Sequence, residues 1–141
     1  MPSKHAKVWK ALKDHLEAYP DIPPVKYGGQ SFDPPSTGGV ADPYFIVDDV
    51  RLEGRRIFQD TDTKNWHSGN LAVGVMCPLW WDDLQTAEYA GRLADYFSQD
   101  TTMTYSDVTV KVAKQPTVST AGYRDGDMFR LPVLVEWEGF V

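Results

Sequence analysis

Three histidines, a single cysteine and several closely spaced aspartates are the residues whose types could support metal, nucleophilic or acid–base chemistry. His5 and His15 stand ten residues apart on one helical pattern, which sets them on different sides rather than as an i, i+4 ligand pair. His67 stands alone between Trp66 and Ser68. A lone histidine carries little specificity, so structural or solvated roles are expected for all three. Asp60-x-Asp62 has the opening of a calcium loop, but Lys64 occupies the next ligand position, and the turn glycine and closing glutamate are missing. Asp48 and Asp49 point to opposite faces of a strand, and Asp82-Asp83 suits the start of a helix, so neither pair makes an acid/base dyad. Cys77 lies in an apolar strand beside Pro78 with no local cation to stabilise a thiolate, the setting of an inert buried thiol. No nucleophile elbow, phosphate-binding loop or dinucleotide fingerprint is present. The expectation is a protein that is not an enzyme, with no catalytic, cofactor-binding or metal site.

The elements that hold these residues follow from their periodicity. Val8, Trp9, Leu12, Leu16 and Tyr19 recur at helical spacing among lysines and acids, with Ser3 as N-cap and Pro20 as stop, predicting a surface helix. Pro20 to Asp42 holds five prolines and two glycine pairs, a density of breakers that predicts one long irregular loop. Tyr27 and Phe32 are too apolar for a merely solvated linker and either pin that loop to its own domain or meet a partner. Pro43–Val50 predicts a strand, Arg51–Phe58 its antiparallel partner, and Asp60–Asn65 a polar turn. Asn70–Cys77 alternates Leu71, Val73, Val75 and Cys77 with Ala72, Gly74 and Met76, a strand covered on both faces or closely approached by backbone at Gly74. A helix capped by Asp82 and running to about Ser98 follows, with Leu84, Ala87, Ala90, Leu93, Ala94 and Phe97 as its apolar face. Val108–Val112 and Phe129–Trp137 alternate with period two around the turn residues Gly122–Asp127, and a short strand surrounds Val118. The chain reads as one α+β domain over residues 1–141. Two helices pack on one mainly antiparallel, mixed β-sheet, in the order α, long loop, β, β, β, α, β, β, β.

Bulk properties narrow the partners. The net charge of −6 is uneven: residues 1–40 carry five lysines against four acids, residues 41–141 nine Lys and Arg against sixteen acids. Phosphate backbones demand clustered cations, so specific nucleic-acid binding is not expected. No apolar run approaches a membrane span, and the basic N-terminus leads into an amphipathic pattern rather than a secretory signal. A single cysteine fits a reducing cytoplasm. Five tryptophans are many for 141 residues. Trp9 and Trp137 fit core positions, whereas Trp66 or one ring of Trp80-Trp81 is a candidate interface anchor, the alternative being packing over a helix end.

Several stretches, in order, resemble the tail terminator, or tail completion, proteins of long-tailed phages and prophages. They are Gln30–Pro35, Asp42–Val47, Ser68–Val75 with Pro78, the Ala87–Phe97 helix, and Asp125–Trp137. The resemblance implies a structural virion protein, assembled in the bacterial host cytoplasm. Such proteins form a homo-oligomeric ring, usually a hexamer, on the head-proximal end of the tail tube. The ring ends tube polymerisation and offers a surface for head–tail joining. The implied partners are further copies of the chain, the tail tube protein and the head–tail connector, with DNA passing through the channel without specific binding.

A ring requires head-to-tail contacts, and open sheet edges are natural surfaces for them. Pro132 cannot donate to a ladder, so its strand is expected to be an edge or to carry a bulge. The expected interface therefore comprises Phe32, Pro34 and Pro35 in the long loop, Arg55 and Arg56, Trp66, Tyr123, Arg124 and Asp125 in the turn, and Pro132. Two other readings fit parts of the same pattern. One is a small pocketed α+β domain that binds or isomerises a hydrophobic molecule, with His67 or Asp48 inside an apolar cavity. The other is a head-completion or tail-tube subunit.

Overall fold

The computed structural model describes residues 3–28, 30–55, 66–119 and 122–140, with backbone only at residues 49 and 52–55. The chain begins with helix α1 (Lys4–Glu17), capped by the Ser3 side chain, which accepts from the Ala6 amide at 3.2 Å. The segment that follows is not wholly irregular. β1 (Val25–Lys26) joins the main sheet, and β2 (Ser36–Thr37) with β3 (Val40–Ala41) closes a small hairpin over Gly38 and Gly39. Pro24 before β1, Pro35 before β2 and Pro43 after β3 each limit a ladder at one end, and Gly38 and Gly39 turn the chain between β2 and β3.

β4 (Tyr44–Arg55) corrects the expected strand pair in this region. Residues 51–55 do not fold back on Pro43–Val50; they continue the same strand, and its antiparallel partner is β5 (Trp66–Pro78). The reason is a β-bulge between Val47 and Asp49. One extra residue resets the alternation, so Phe45 and Val47 before the bulge and Val50 after it pair with Val75, Val73 and Leu71 of the same inner face. Residues 56–65, with the expected polar turn and Asp60-x-Asp62, lie outside the described residues. At Gly69 a Cβ would overlap the Arg51 carbonyl and meet the Trp137 ring at 2.6 Å, so only glycine lets these backbones approach.

Helix α2 (Asp83–Tyr96) is capped by Asp82, whose carboxylate accepts from the Gln85 amide at 2.6 Å. Its buried face is Thr86, Ala90, Leu93 and Ala94, with Phe97 at its end. Leu84, expected on that face, is instead 77% exposed. At 100° per residue, nine residues place Leu84 opposite Leu93, so burying one exposes the other. β6 (Thr102–Tyr105) and β7 (Val108–Val112) form a tight hairpin, and β6 is a strand the periodicity did not predict. β8 (Thr117–Val118), β9 (Tyr123–Asp125) and β10 (Met128–Phe140) complete the chain.

The main sheet runs β1-β4-β5-β10-β7-β6, with β8 and β9 also paired to β10, and β1 is its parallel member beside β4. β10 is the central strand. It pairs with β5 from Met128↔Pro78 to Phe140↔Trp66, and its other flank meets β9, β8 and β7 in succession. The expected hairpin between Val108–Val112 and Phe129–Trp137 therefore shrinks to two residue pairs, and the tight turn at Gly126 belongs to β9 and β10. Pro132 does not sit on an edge strand. It pairs with Gly74 of β5, while on the other flank it falls in the gap between β9 and β8, where its missing N–H costs no ladder bond and its carbonyl accepts from Ser119 at 3.0 Å.

Both helices lie on one face. Val8, Leu12 and Leu16 of α1 and Leu93 and Phe97 of α2 join Leu71, Val75, Leu131, Val135, Val110 and Trp137 in one buried cluster. The helices also meet each other: the His15 and Tyr96 rings stack at 4.4 Å, and the Tyr96 hydroxyl donates to the His15 carbonyl at 2.6 Å. No helix among the described residues is long and apolar enough to cross a membrane.

Candidate functional site

The residues with reactive side chains are spread apart. Among the described residues no three His, Cys, Asp or Glu cluster as metal ligands. Cys77 is buried, and desolvation pushes its thiol up to about 12, so it remains protonated and unreactive at neutral pH. Burial lowers the His15 pKa, because its ring lies between Tyr96 and Phe97 where a charge is poorly solvated. His5 is exposed. Asp48 is exposed at the bulge and ion-paired to Arg130, not enclosed in an apolar cavity.

What the fold does assemble is a surface on the face of the sheet opposite the helices. Tyr44, Met76 and Met128 form a second buried cluster there, and the long loop lays Phe32 on it, with the Phe32 and Tyr44 rings 5.2 Å apart. Burial raises the Tyr44 pKa, as does the neighbouring Asp125 carboxylate, while Arg130 opposes them. Arg130 lies across Gly74, where a side chain would meet its Nε at 2.7 Å. Its guanidinium pairs with Asp48 of β4 and, at 3.1 Å, with Asp125 of β9. One cation thus ties the bulged strand and the β9–β10 hairpin to the central strand.

The structure brings some of the expected interface residues together and separates others. Phe32 and Asp125 belong to the surface just described, one through Tyr44 and Met128, the other through Arg130. Pro34 is exposed beside Phe32, and the half-buried Pro35 accepts the Asp42 amide at 3.0 Å. Tyr123 and Arg124 are exposed on the same hairpin, where the Arg124 Nε donates to the Gly126 carbonyl at 3.1 Å. Pro132 follows Arg130 on the same face. Arg55 and Trp66 are elsewhere. They pair at the far end of the sheet, twelve residues along β10 and roughly 40 Å from Met128. Trp66 stacks edge-on against Phe140 there at 5.1 Å. Arg56 lies outside the described residues.

Of the tryptophan doublet, one ring of which was a candidate anchor, Trp81 packs on Tyr89 at 5.3 Å, whereas Trp80 is 67% exposed. Leu79, next to it in the chain, and Leu84, in the first turn of α2, are also exposed and lie outside the expected interface set. The doublet itself was the signal, since adjacent residues cannot share one core position. Tyr27 settles as a loop pin: its ring packs edge-on against Trp9, its hydroxyl donates to Glu17 at 2.9 Å, and Lys13 lies over it.

The sheet thus carries helices on one face and, on the other, the Phe32–Tyr44–Met128 patch beside the Arg130 ion pairs. The chain belongs to the phage tail terminator protein family, whose model matches residues 7–137. That membership makes it a structural component of a phage tail. A solved structure shares the fold, with a TM-score of 0.64 at 20% identity over 96% of this chain and 93% of that one. No curated protein sequence matches it.

Proposed function

We propose that the protein forms a closed ring, six copies in the family's usual number, on the head-proximal end of a phage tail tube. The ring ends tube polymerisation and provides the surface for head–tail joining. The observation that carries this reading is the match of the family model along residues 7–137. The shape of the sheet supports it. Among the described residues β4 has no partner on its outer flank beyond its two pairs with β1, and β6 is the outermost strand at the other end of the sheet. Two different edges on one subunit suit the head-to-tail contacts of a ring. Phe32, Pro34, Pro35, Tyr123, Asp125 and Pro132 form the part of the expected contact surface at one end of the sheet on the side away from the helices, while Arg124, opposite Phe129 in the same hairpin, points to the other face. Arg55 and Trp66 belong to a second contact at the other end, and Arg56 lies outside the described residues.

The partners in this reading are further copies of the chain, the tail tube protein and the connector of the head, with assembly in the host cytoplasm. DNA crosses the ring without specific binding. The excess of acids in residues 41–141 favours an acidic lumen, which repels DNA and limits sticking. Purified protein added to polymerising tail tube protein tests the function by light scattering and negative-stain microscopy. Tubes of limited length with a ring at one end are expected. Tubes that grow on unaffected, or a chain that itself polymerises into a tube, overturn the reading. A basic channel in a ring structure would remove the part assigned to lumen charge.

A further inference from the structure

Two apolar surface features far apart on the subunit have flanking residues of opposite charge. The first, called the knob below, is a set of exposed apolar side chains close in the chain: Leu79, Trp80 and Leu84, exposed by 43%, 67% and 77%, on the turn after β5 and the first turn of α2. Three large apolar side chains so placed lose nothing by being covered, and Trp is the residue type most often dominant at interface centres. Asp82 and Asp83 lie between them in the chain, and Glu88 follows on the helix, so the knob has an acidic rim.

The second feature is a groove of about 330 Å³ between the N-terminal half of α1 and β4, lined by His5, Ala6, Val8, Trp9 and Val50. Its lining is mainly apolar, but the helix that forms one wall is the basic part of the chain. Lys4 stands one turn before Val8, Lys10 one turn beyond Ala6 in an exposed ion pair with Asp14, and Lys13 one turn beyond Trp9, where it also lies over Tyr27. The same chain therefore carries an apolar knob flanked by acids and an apolar recess flanked by lysines.

The knob cannot fill its own groove. Val50 pairs with Leu71, and the knob follows Pro78 at the other end of β5, seven residues or roughly 20 Å along the strand. We infer that the occupant of the groove is a second copy of this chain, whose Trp80–Leu84 knob docks against the α1–β4 groove of its neighbour. The contact is head-to-tail, each copy using one surface as donor and the other as acceptor, so it propagates around a cycle instead of stopping at a dimer. Charge complementarity between the acidic rim and the lysines sets the orientation and speeds encounter. The inference rests on the ring reading above and names the pair of surfaces that would close it.

The test uses two substitutions on opposite sides of the contact. Leu84→Glu spoils the knob and Ala6→Glu puts a carboxylate in the groove; both sites are exposed on helices that tolerate glutamate, and thermal melting checks that each variant stays folded. Self-association of wild type and variants is read by sedimentation velocity, alone and with tail tube protein present. Each variant alone is expected to associate at least tenfold more weakly than wild type. Mixed in equal amounts, the two leave a single intact knob–groove pair, so the mixture forms a heterodimer and nothing larger. Wild-type rings together with unaffected variants would overturn this contact and leave the ring reading standing. Weakened variants whose mixture fails to form the heterodimer would equally overturn it. Wild type that stays monomeric even with the tube would overturn the contact and the ring reading together. Variants that self-associate normally but no longer bind the tube would reassign the knob to the tube protein.

Discussion

The two faces of the central sheet are made from alternate residues of the same strands, yet they are held by different physics. On the helix side Leu71, Val73, Val75, Leu131, Val133, Val135 and Trp137 are buried beneath α1 and α2. On the other side Ala72, Arg130, Pro132, Leu134, Glu136 and Glu138 remain half-buried, and the Phe32 loop covers the end formed by Tyr44, Met76 and Met128. Area removed from water stabilises the first face, at about 1.5–3 kcal/mol for each fully buried large side chain. The second face holds its shape through the Arg130 ion pairs and a small apolar patch, which contribute less. A structural subunit needs both kinds: one face that specifies the fold and one that remains available for contacts.

Substitutions on the two faces should separate cleanly. Trp137→Ala is expected to cost about 3–5 kcal/mol, because it empties a large site under both helices; urea denaturation followed by tryptophan fluorescence and circular dichroism measures it. A loss near that on the outer face, for example in Leu134→Ala, would break the contrast. Arg130→Met keeps the volume over Gly74 while removing both ion pairs, and is expected to cost about 1–2 kcal/mol by the same measurement.

His15 belongs to the helix side, and its titration sharpens the comparison. Burial lowers its folded pKa below the ordinary 6.5, so the unfolded chain binds the proton more readily. Its contribution to stability is complete above 6.5 and is lost as the pH falls below that value toward the folded pKa. His15→Phe, which retains a ring to stack on Tyr96, should remove that part of the acid sensitivity in melts at several pH values. The smallest effect is expected at Leu84, on the solvent side of α2. Leu84→Ala should change the stability of the isolated subunit by no more than about 0.5 kcal/mol, in contrast to its helical opposite Leu93, whose truncation should cost several times more.

Much of the fold was legible because its signals are local. The capping of α1 by Ser3 and of α2 by Asp82, the alternation of β5, β7 and β10, and the inert setting of Cys77 are carried by neighbouring residues. The register of β4 was not. A bulge looks in sequence like the end of a strand, since Phe45 and Val47 keep one parity and Val50 takes the other. β6 was missed because its hairpin turn uses Ser106 at φ +57° in place of the glycine or asparagine that usually marks such turns. The expected contact residues were chosen by type and exposure, and nothing local distinguishes Phe32 and Asp125 at one end of the sheet from Trp66 at the other.

By itself the sequence determined which segments are helical or extended, which faces are apolar, and the acidic balance that disfavours nucleic-acid binding. These follow from periodicity, capping and composition, which act within one or two turns of chain. Only the tertiary structure decided that β10 is central, that Pro132 lies between two short partners, that Arg130 bridges Asp48 and Asp125, and that the Trp80–Leu84 knob stands far from the α1 groove. Those outcomes depend on pairings between residues up to 82 positions apart, and the free energy of such pairings belongs to the whole packed sheet rather than to any stretch of it.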